Sequence, residues 1–159
     1  MTDERIDRVW ELMESVRLCM LSTWDGHRIH SRPMGAFLRR DERAIYFFTD
    51  DRAHKDDEIL RFPQVRLAFA DPDSQKYVSV SGTARISADR GKINEFWSLG
   101  AKVWWGSPDN PNLRLLTVTP ESAEYWDAPG TVVGAFKVAF ALATGTTLDP
   151  GEHKSVVRP

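Results

Sequence analysis

The sequence predicts a small antiparallel β-barrel with helices over its openings. About seven short segments carry strand patterns, and most of them are joined by tight turns. Helical patterns occur only at the start, in the middle and near the end of the chain. A doubly wound parallel sheet is excluded, because its helices would alternate regularly with its strands.

The first elements are a helix and a hairpin. A helix is predicted over residues 3–16, where the apolar residues fall on one face. Residues 17–24 (RLCMLSTW) are strand-like, and Asp-Gly at 25–26 predicts a type I′ turn into a partner strand over 27–39. Since Pro33 lacks an amide donor, this partner strand should be an edge or contain a bulge.

The later elements alternate between strand and helix patterns. The short helix should stop before Pro63, and Gly145 can end the last one. Strands are predicted at 44–50, 64–71, 76–87, 113–120 and 122–126, and helices at 54–62, from 89 onward and at 131–145.

The chain length and composition indicate one domain. The 159 residues are divided into a domain over 1–145 and a polar C-terminal tail over 146–159. A net charge of −2 gives no sign of a nucleic-acid or anionic-membrane partner. The single cysteine, Cys19, lies in an apolar run and is interpreted as a core residue. No signal peptide or transmembrane run is recognisable, which favours the cytoplasm.

Tryptophan is abundant, with six residues in this chain. Trp104, Trp105 and Trp126 lie outside any clear amphipathic helix. Two interpretations stay open. These side chains either fill the core and surface of a monomer, or they form a ring-stacking or dimer surface, where aromatic residues are enriched.

Four donor residues stand near two strand ends. Arg32, Thr49, His54 and Lys55 offer the side chains that suit an oxyanion, since arginine presents a planar fork and lysine a point charge. The alternative is a set of solvated surface charges. No glycine-rich nucleotide loop and no convincing metal ligand set is present in the sequence. A phosphate is therefore the ligand that these residues would suit, and the alternative of solvated charges stays open at this point.

At this point the sequence resembles a family. The segments MLSTWDGHRIHSRPMGAF, AIYFFTDDRAHKDDEILRFPQVRLAFADPDSQKYVSVSGTARI and LTVTPESAEYWDAP are similar to the general stress protein branch of the FMN-binding split barrels, relatives of pyridoxamine 5′-phosphate oxidase. The resemblance implies a mainly β (α+β) fold, an antiparallel six-stranded split β-barrel with flanking helices. It also implies a homodimer that binds FMN between its subunits, with FAD as an alternative.

The resemblance also assigns roles to particular positions. The phosphate side would comprise Arg32, Thr49, His54 and Lys55, with Phe48 between the phosphate and the ring. Pro33 and Met34 would line the ring through their backbones, and Tyr77 stands where the oxidases place a glutamine. Trp126, and with it Trp105, would reach the flavin from the partner chain.

Two departures from the oxidases bear on activity. Phe37 replaces a basic residue, and no Arg-Leu-His-x-Arg substrate motif follows Trp126. Oxidation of pyridoxamine 5′-phosphate is therefore not expected. No catalytic residue is recognisable, and three hypotheses stay open: an FMN-dependent oxidoreductase, a flavin-binding or flavin-buffering protein without turnover, and a binder of a deazaflavin or haem.

Overall fold

The computed structural model describes residues 3–53, 55–128, 131–147 and 152–159. Eight strands and five α-helices are described within these ranges. The order along the chain is α1 (Glu4–Val16), β1 (Leu18–Trp24), β2 (Ile29–Gly35), β3 (Phe37–Arg39), β4 (Ala44–Asp50), α2 (Lys55–Arg61), β5 (Gln64–Asp71), β6 (Lys76–Ser87), α3 (Arg90–Phe96), α4 (Leu99–Trp105), β7 (Leu113–Asp127), α5 (Thr131–Thr144) and β8 (Glu152–Val157).

All described strands belong to one antiparallel sheet. Its order is β2-β1-β5-β6-β7-β4-β3, and β8 also pairs with β7. The two outermost strands, β2 and β3, are consecutive in sequence and only Ala36 separates them. Because these two strands form the two edges of the sheet and are joined by one residue, the sheet must curl so that its edges approach each other. This confirms the split-barrel fold class, although the described strands number eight rather than six.

The main core lies inside the curled sheet and under α1. Asp3 caps α1 by accepting a hydrogen bond from the backbone N of Arg5, and the helix ends at Arg17 in the left-handed region. The α1 face that covers the sheet buries Val9 and Met13 completely. Cys19 is also part of this core, which confirms its interpretation as a packing residue.

Strand β2 lies at an edge, as Pro33 predicted, since β1 is its neighbour in the sheet. The type I′ turn was wrong. That turn needs positive φ at both central residues, Asp25 and Gly26, whereas Gly26 has a φ of 98° and Asp25 is not in the positive region. Asp25 instead holds the loop, because its carboxylate accepts hydrogen bonds from the backbone N of His27 (2.7 Å) and Arg28 (2.6 Å).

Strand β7 is one strand of 15 residues, not the two that Pro120 suggested. The chain stays extended through Pro120 because a bulge lies at this point. Gly82 pairs with Pro120 and Ser81 pairs with Ser122, so Glu121 has no partner residue on β6.

The bulge changes which residues of β7 face the main core. Before it, the even-numbered Leu116 and Val118 are buried there. After it, the odd-numbered Ala123 and Tyr125 are buried in the same core. Side chains alternate between the two faces of a strand. The one extra residue at the bulge therefore changes the core-facing positions from even-numbered to odd-numbered in the C-terminal half.

The sequence did not predict helix α4. Ser98 caps its start, because the Ser98 hydroxyl accepts a hydrogen bond from the backbone N of Ala101, and Gly106 caps its end. Leu99, Val103 and Trp104 are exposed, so no amphipathic period marks this helix. In the described part of the chain, no helix has both the length and the apolar character needed to cross a membrane.

Candidate functional site

Arg32 is held in place at one end of the barrel. Its Nη1 donates a hydrogen bond to Oγ1 of Thr23 over 2.9 Å, and the Thr23 hydroxyl donates to Oε2 of Glu58 over 2.8 Å. Nη2 of Arg32 lies 3.7 Å from the same Glu58 oxygen. The contacts join β1, β2 and α2, and three quarters of the Arg32 side chain is covered. Since a guanidinium has five N–H donors, this network leaves donors for a ligand.

Thr49 and the start of α2 belong to the same end. Thr49 is the next-to-last residue of β4 and is 2% exposed. A short 3-10 turn follows, and α2 then begins at Lys55. Glu58 on α2 lies against Arg32, so the docking of α2 brings the segment that follows Thr49 towards the arginine. His54 lies outside the described residues.

Acidic groups at this end are themselves paired with arginines. Oδ2 of Asp50 accepts a hydrogen bond from Nη2 of Arg52 over 2.6 Å, and this bond lowers the pKa of the Asp50 carboxyl. Asp51 accepts from Arg114 over 3.1 Å. Ion pairs therefore offset much of the negative charge beside the candidate phosphate donors.

Phe48 lies on the opposite face of β4 from Thr49, because neighbouring strand residues point to opposite sides. Its ring is 5.1 Å from the Phe37 ring and 6.1 Å from that of Trp97. Trp105 packs against the same aromatic cluster from α4. The structure thus brings Phe48 and Trp105 together, in a cluster separate from the main core.

A second group lies on the outer face of the sheet. Tyr77 on β6 is directly opposite Trp126 on β7, and both side chains are more than a third exposed. Trp126 also stacks on His153 of β8, with ring centroids 4.7 Å apart and planes at 4°. A flat aromatic surface is therefore present at this position.

Pro33 and Met34 point to opposite sides of β2. Pro33 faces outward and is exposed, whereas Met34 packs against the main core. Their backbones lie on an edge strand, which suits the backbone contacts that were expected of them.

Thr49 and Trp126 are far apart along strand β7. Thr49 pairs with Arg114, near the start of β7, and Trp126 lies near the other end of that strand. Twelve residue steps separate Arg114 from Trp126, or about 40 Å measured along an extended strand. Thr49 and Trp126 therefore lie beside opposite halves of β7.

Sequence reasoning missed Thr23, Glu58 and His153. Thr23 and Arg32 are brought together by the β1–β2 hairpin, which was recognisable from the sequence. The position of Glu58 depends on how α2 docks on the barrel, and no local pattern in the sequence records that docking. His153 lies in the tail, whose residues Glu152–Val157 form strand β8.

A family model described as "pyridoxamine 5′-phosphate oxidase like" matches residues 4–149. The chain belongs to this family. General stress protein 26 of Bacillus subtilis is 28% identical over 124 residues, which cover 76% of this chain and 87% of that protein.

Solved structures agree with this family membership. A structure described as a general stress protein 26 from Jannaschia sp. CCS1 superposes with a TM-score of 0.79 at 28% identity, covering 97% of this chain and 98% of the other. A general stress FMN/FAD binding protein from Xanthomonas citri has a TM-score of 0.72 at 26% identity, covering 82% and 93%.

Proposed function

We propose that this family member is a flavin-binding homodimer and a flavin-dependent oxidoreductase. FMN is the proposed cofactor, with FAD as the alternative. Its phosphate would be held by Arg32, Thr49, His54 and Lys55 of one chain. Its ring would lie against Phe48 and the Pro33–Met34 backbone of that chain, and the second chain would contribute Trp126 together with its neighbour Tyr77. Trp105 packs against the same cluster as Phe48 and would therefore come from the same chain as Phe48. The relative from Xanthomonas citri, named as an FMN/FAD binding protein, supports the choice of ligand.

The observation that carries the shared site is the separation along β7. Thr49 is paired near the start of this strand and Trp126 lies near its other end, which supports a site whose tryptophan comes from a second chain. The outer face of the sheet also suits a subunit contact. Its exposed apolar side chains include Leu18, Met20, Trp24, Ile29, Tyr77 and Trp126.

The donor set fits a phosphate. Arg32 is held by Thr23 and Glu58 before any ligand arrives, so little side-chain entropy is lost on binding. Glu58 lies 3.7 Å from Arg32 and offsets part of its charge, so a phosphate would be held by the remaining N–H donors of the guanidinium. Bound flavin would supply the hydride chemistry, while the protein positions it and excludes water from the ring.

A flavin-binding protein without turnover is the second candidate. The observation that favours it is the segment WDAPGTVVG after Trp126, which lacks the charged substrate motif of the oxidases. Oxidation of a reduced nicotinamide in the presence of an acceptor separates the two candidates, because a flavin buffer would not turn over.

The ligand is tested by mass spectrometry of the purified, denatured protein and by titration of the apoprotein with FMN and riboflavin. Replacing Arg32 by alanine should weaken FMN roughly 10- to 100-fold, since a hydrogen bond to a charged group contributes about 1.5–3 kcal/mol. Riboflavin has no phosphate and should be nearly insensitive. Arg28→Ala, at an exposed loop position, is the matched control. Equal FMN affinity in Arg32→Ala and the wild-type protein would contradict the phosphate assignment.

A further inference from the structure

Helix α5 is unusually apolar for a helix on the outside of a protein. It comprises 14 residues, and Lys137 is its one charged residue. A helix with apolar residues on all sides is normally buried in a protein core or a membrane.

Apart from the half-buried Ala141, the described side chains of α5 are nevertheless exposed in the single chain. Four consecutive residues, Lys137 to Phe140, are all exposed, and four consecutive positions turn through a full circle of the helix axis. Phe140 is 67% exposed and Leu142 is 81% exposed. This turn of α5 therefore has no face that packs on the rest of the described chain.

The sheet anchors α5 at both ends. The chain leaves β7 at Asp127 and returns at Glu152 of β8, and these two residues pair with each other. The helix thus belongs to an arm that projects from one point of the sheet, close to Trp126 and to the outer sheet face.

A lipid bilayer is a poor match for this helix. Fourteen residues span about 21 Å, which is less than the roughly 30 Å of a hydrocarbon core. A helix that lies on a membrane surface needs a charged or polar face, usually rich in lysine and arginine. In α5 the single Lys137 does not form such a face.

We propose that α5 packs on a second copy of this chain, against the outer sheet face formed by β1 and β2. That face offers Leu18, Met20 and Ile29 as exposed apolar side chains. The inference rests on the homodimer of the proposed function and adds α5 as an element that holds the two chains together. In a two-fold dimer each chain gives one arm and receives one.

The apolar area that the two arms could bury is a substantial part of a stable dimer interface. With three large side chains on the arm and three on the face, all partly exposed, one arm would remove roughly 250–500 Å² of apolar surface from water. Two arms would supply about 500–1,000 Å² of the 1,200–2,000 Å² that a stable interface buries.

Sedimentation equilibrium of the full-length protein tests the arm. Phe140→Glu should raise the dimer dissociation constant about 10- to 100-fold, because a buried large apolar side chain would be replaced by a charge. Leu99→Glu on α4 is the matched control, since Leu99 is 85% exposed and lies outside the proposed contact. Circular dichroism checks that both variants fold. A wild-type monomer, or equal dissociation constants for Phe140→Glu and Leu99→Glu, would overturn the proposal.

Photo-cross-linking gives an independent result. A benzoylphenylalanine at position 142 should yield a covalent dimer of the purified protein, whereas the same group at position 99 should not. Cross-links within one chain, or flotation with phosphatidylcholine–phosphatidylglycerol vesicles that Phe140→Glu abolishes, would contradict the proposal. FMN titration of the same variants keeps the two ideas distinct: a Phe140→Glu monomer that binds FMN normally rejects the shared flavin site but retains the arm.

Discussion

Two variants that each damage one half of the flavin site should restore an intact site when they are mixed. One variant is Arg32→Ala, which removes a phosphate donor, and the other is Trp126→Ala, which removes the ring-stacking surface. If each site takes Arg32 from one chain and Trp126 from the other, a mixed dimer contains one doubly defective site and one site without either change.

The size of the effect follows from the symmetry and from the contacts. Random exchange of equal amounts gives about half mixed dimers, so about a quarter of all sites become intact. Each parent variant should bind FMN more weakly than the wild-type protein does. Arg32→Ala should raise the dissociation constant roughly 10- to 100-fold, because a hydrogen bond to a charged group is lost. Trp126→Ala should weaken binding by about 1–3 kcal/mol if the flavin stacks on the indole as a nucleobase would.

The assay is fluorescence titration with FMN, after the two variants have been mixed and allowed to exchange subunits. A high-affinity fraction close to one quarter is expected. The matched control mixes Arg32→Ala with Lys55→Ala, which damage the same half, so every mixed site stays defective. If Arg32→Ala and Trp126→Ala give no high-affinity fraction although their subunits exchange, the reasoning from the β7 separation is refuted.

Four further results are expected. Thr23→Val should weaken FMN about 2- to 10-fold and leave riboflavin unchanged, because the hydroxyl that holds Arg32 is lost; an equal loss for both ligands argues against positioning. Cys19 should react with Ellman's reagent at pH 8 only after unfolding, since burial raises the pKa of its thiol to about 12 and suppresses the thiolate; rapid native labelling contradicts this. Gly82→Ala should cost about 1–3 kcal/mol in urea unfolding, because its Cβ would lie 2.4 Å from the carbonyl oxygen of Thr119; an unchanged midpoint would show that the strands separate easily. Pyridoxamine 5′-phosphate should cause no oxygen consumption above background, and oxidase-like rates would reject that expectation.

Local patterns in the sequence were sufficient for most of the fold. Strict alternation at 64–71 and the helical period at 3–16 each survive in the structure because one face is buried and the other is not. Helix α4 escaped prediction since its large apolar residues face outward. Strand β7 was divided at Pro120 because a proline normally ends pairing, and the bulge that accommodates it depends on β6.

The chemistry of the candidate site was more predictable than its geometry. Residue types suggested phosphate donors, and the resemblance to the flavin-binding family supplied the aromatic walls. The contact between Glu58 and Arg32 arises from the docking of α2, which no local pattern records. In the same way, the opposite orientations of Phe48 and Thr49 follow from the strand, whereas the placement of Phe48 with Trp105 depends on tertiary packing.

Glu121 has no partner residue on β6 and forms the bulge of β7. This bulge decides which residues of the following part of the strand face the core. If β7 kept Glu121 but ran through this point with a regular pleat and no bulge, Trp126 would point into the barrel with Leu116 and Val118, and Tyr125 would point to solvent. The half of the strand beside Thr49 would be unaffected, since its pairing with β4 precedes the bulge. Deletion of Glu121 would only remove the bulge and keep Tyr125 inside, because Ser122 would then follow Pro120 in regular alternation. The bulge thus absorbs one residue of chain length without changing which aromatic side chain the outer face presents.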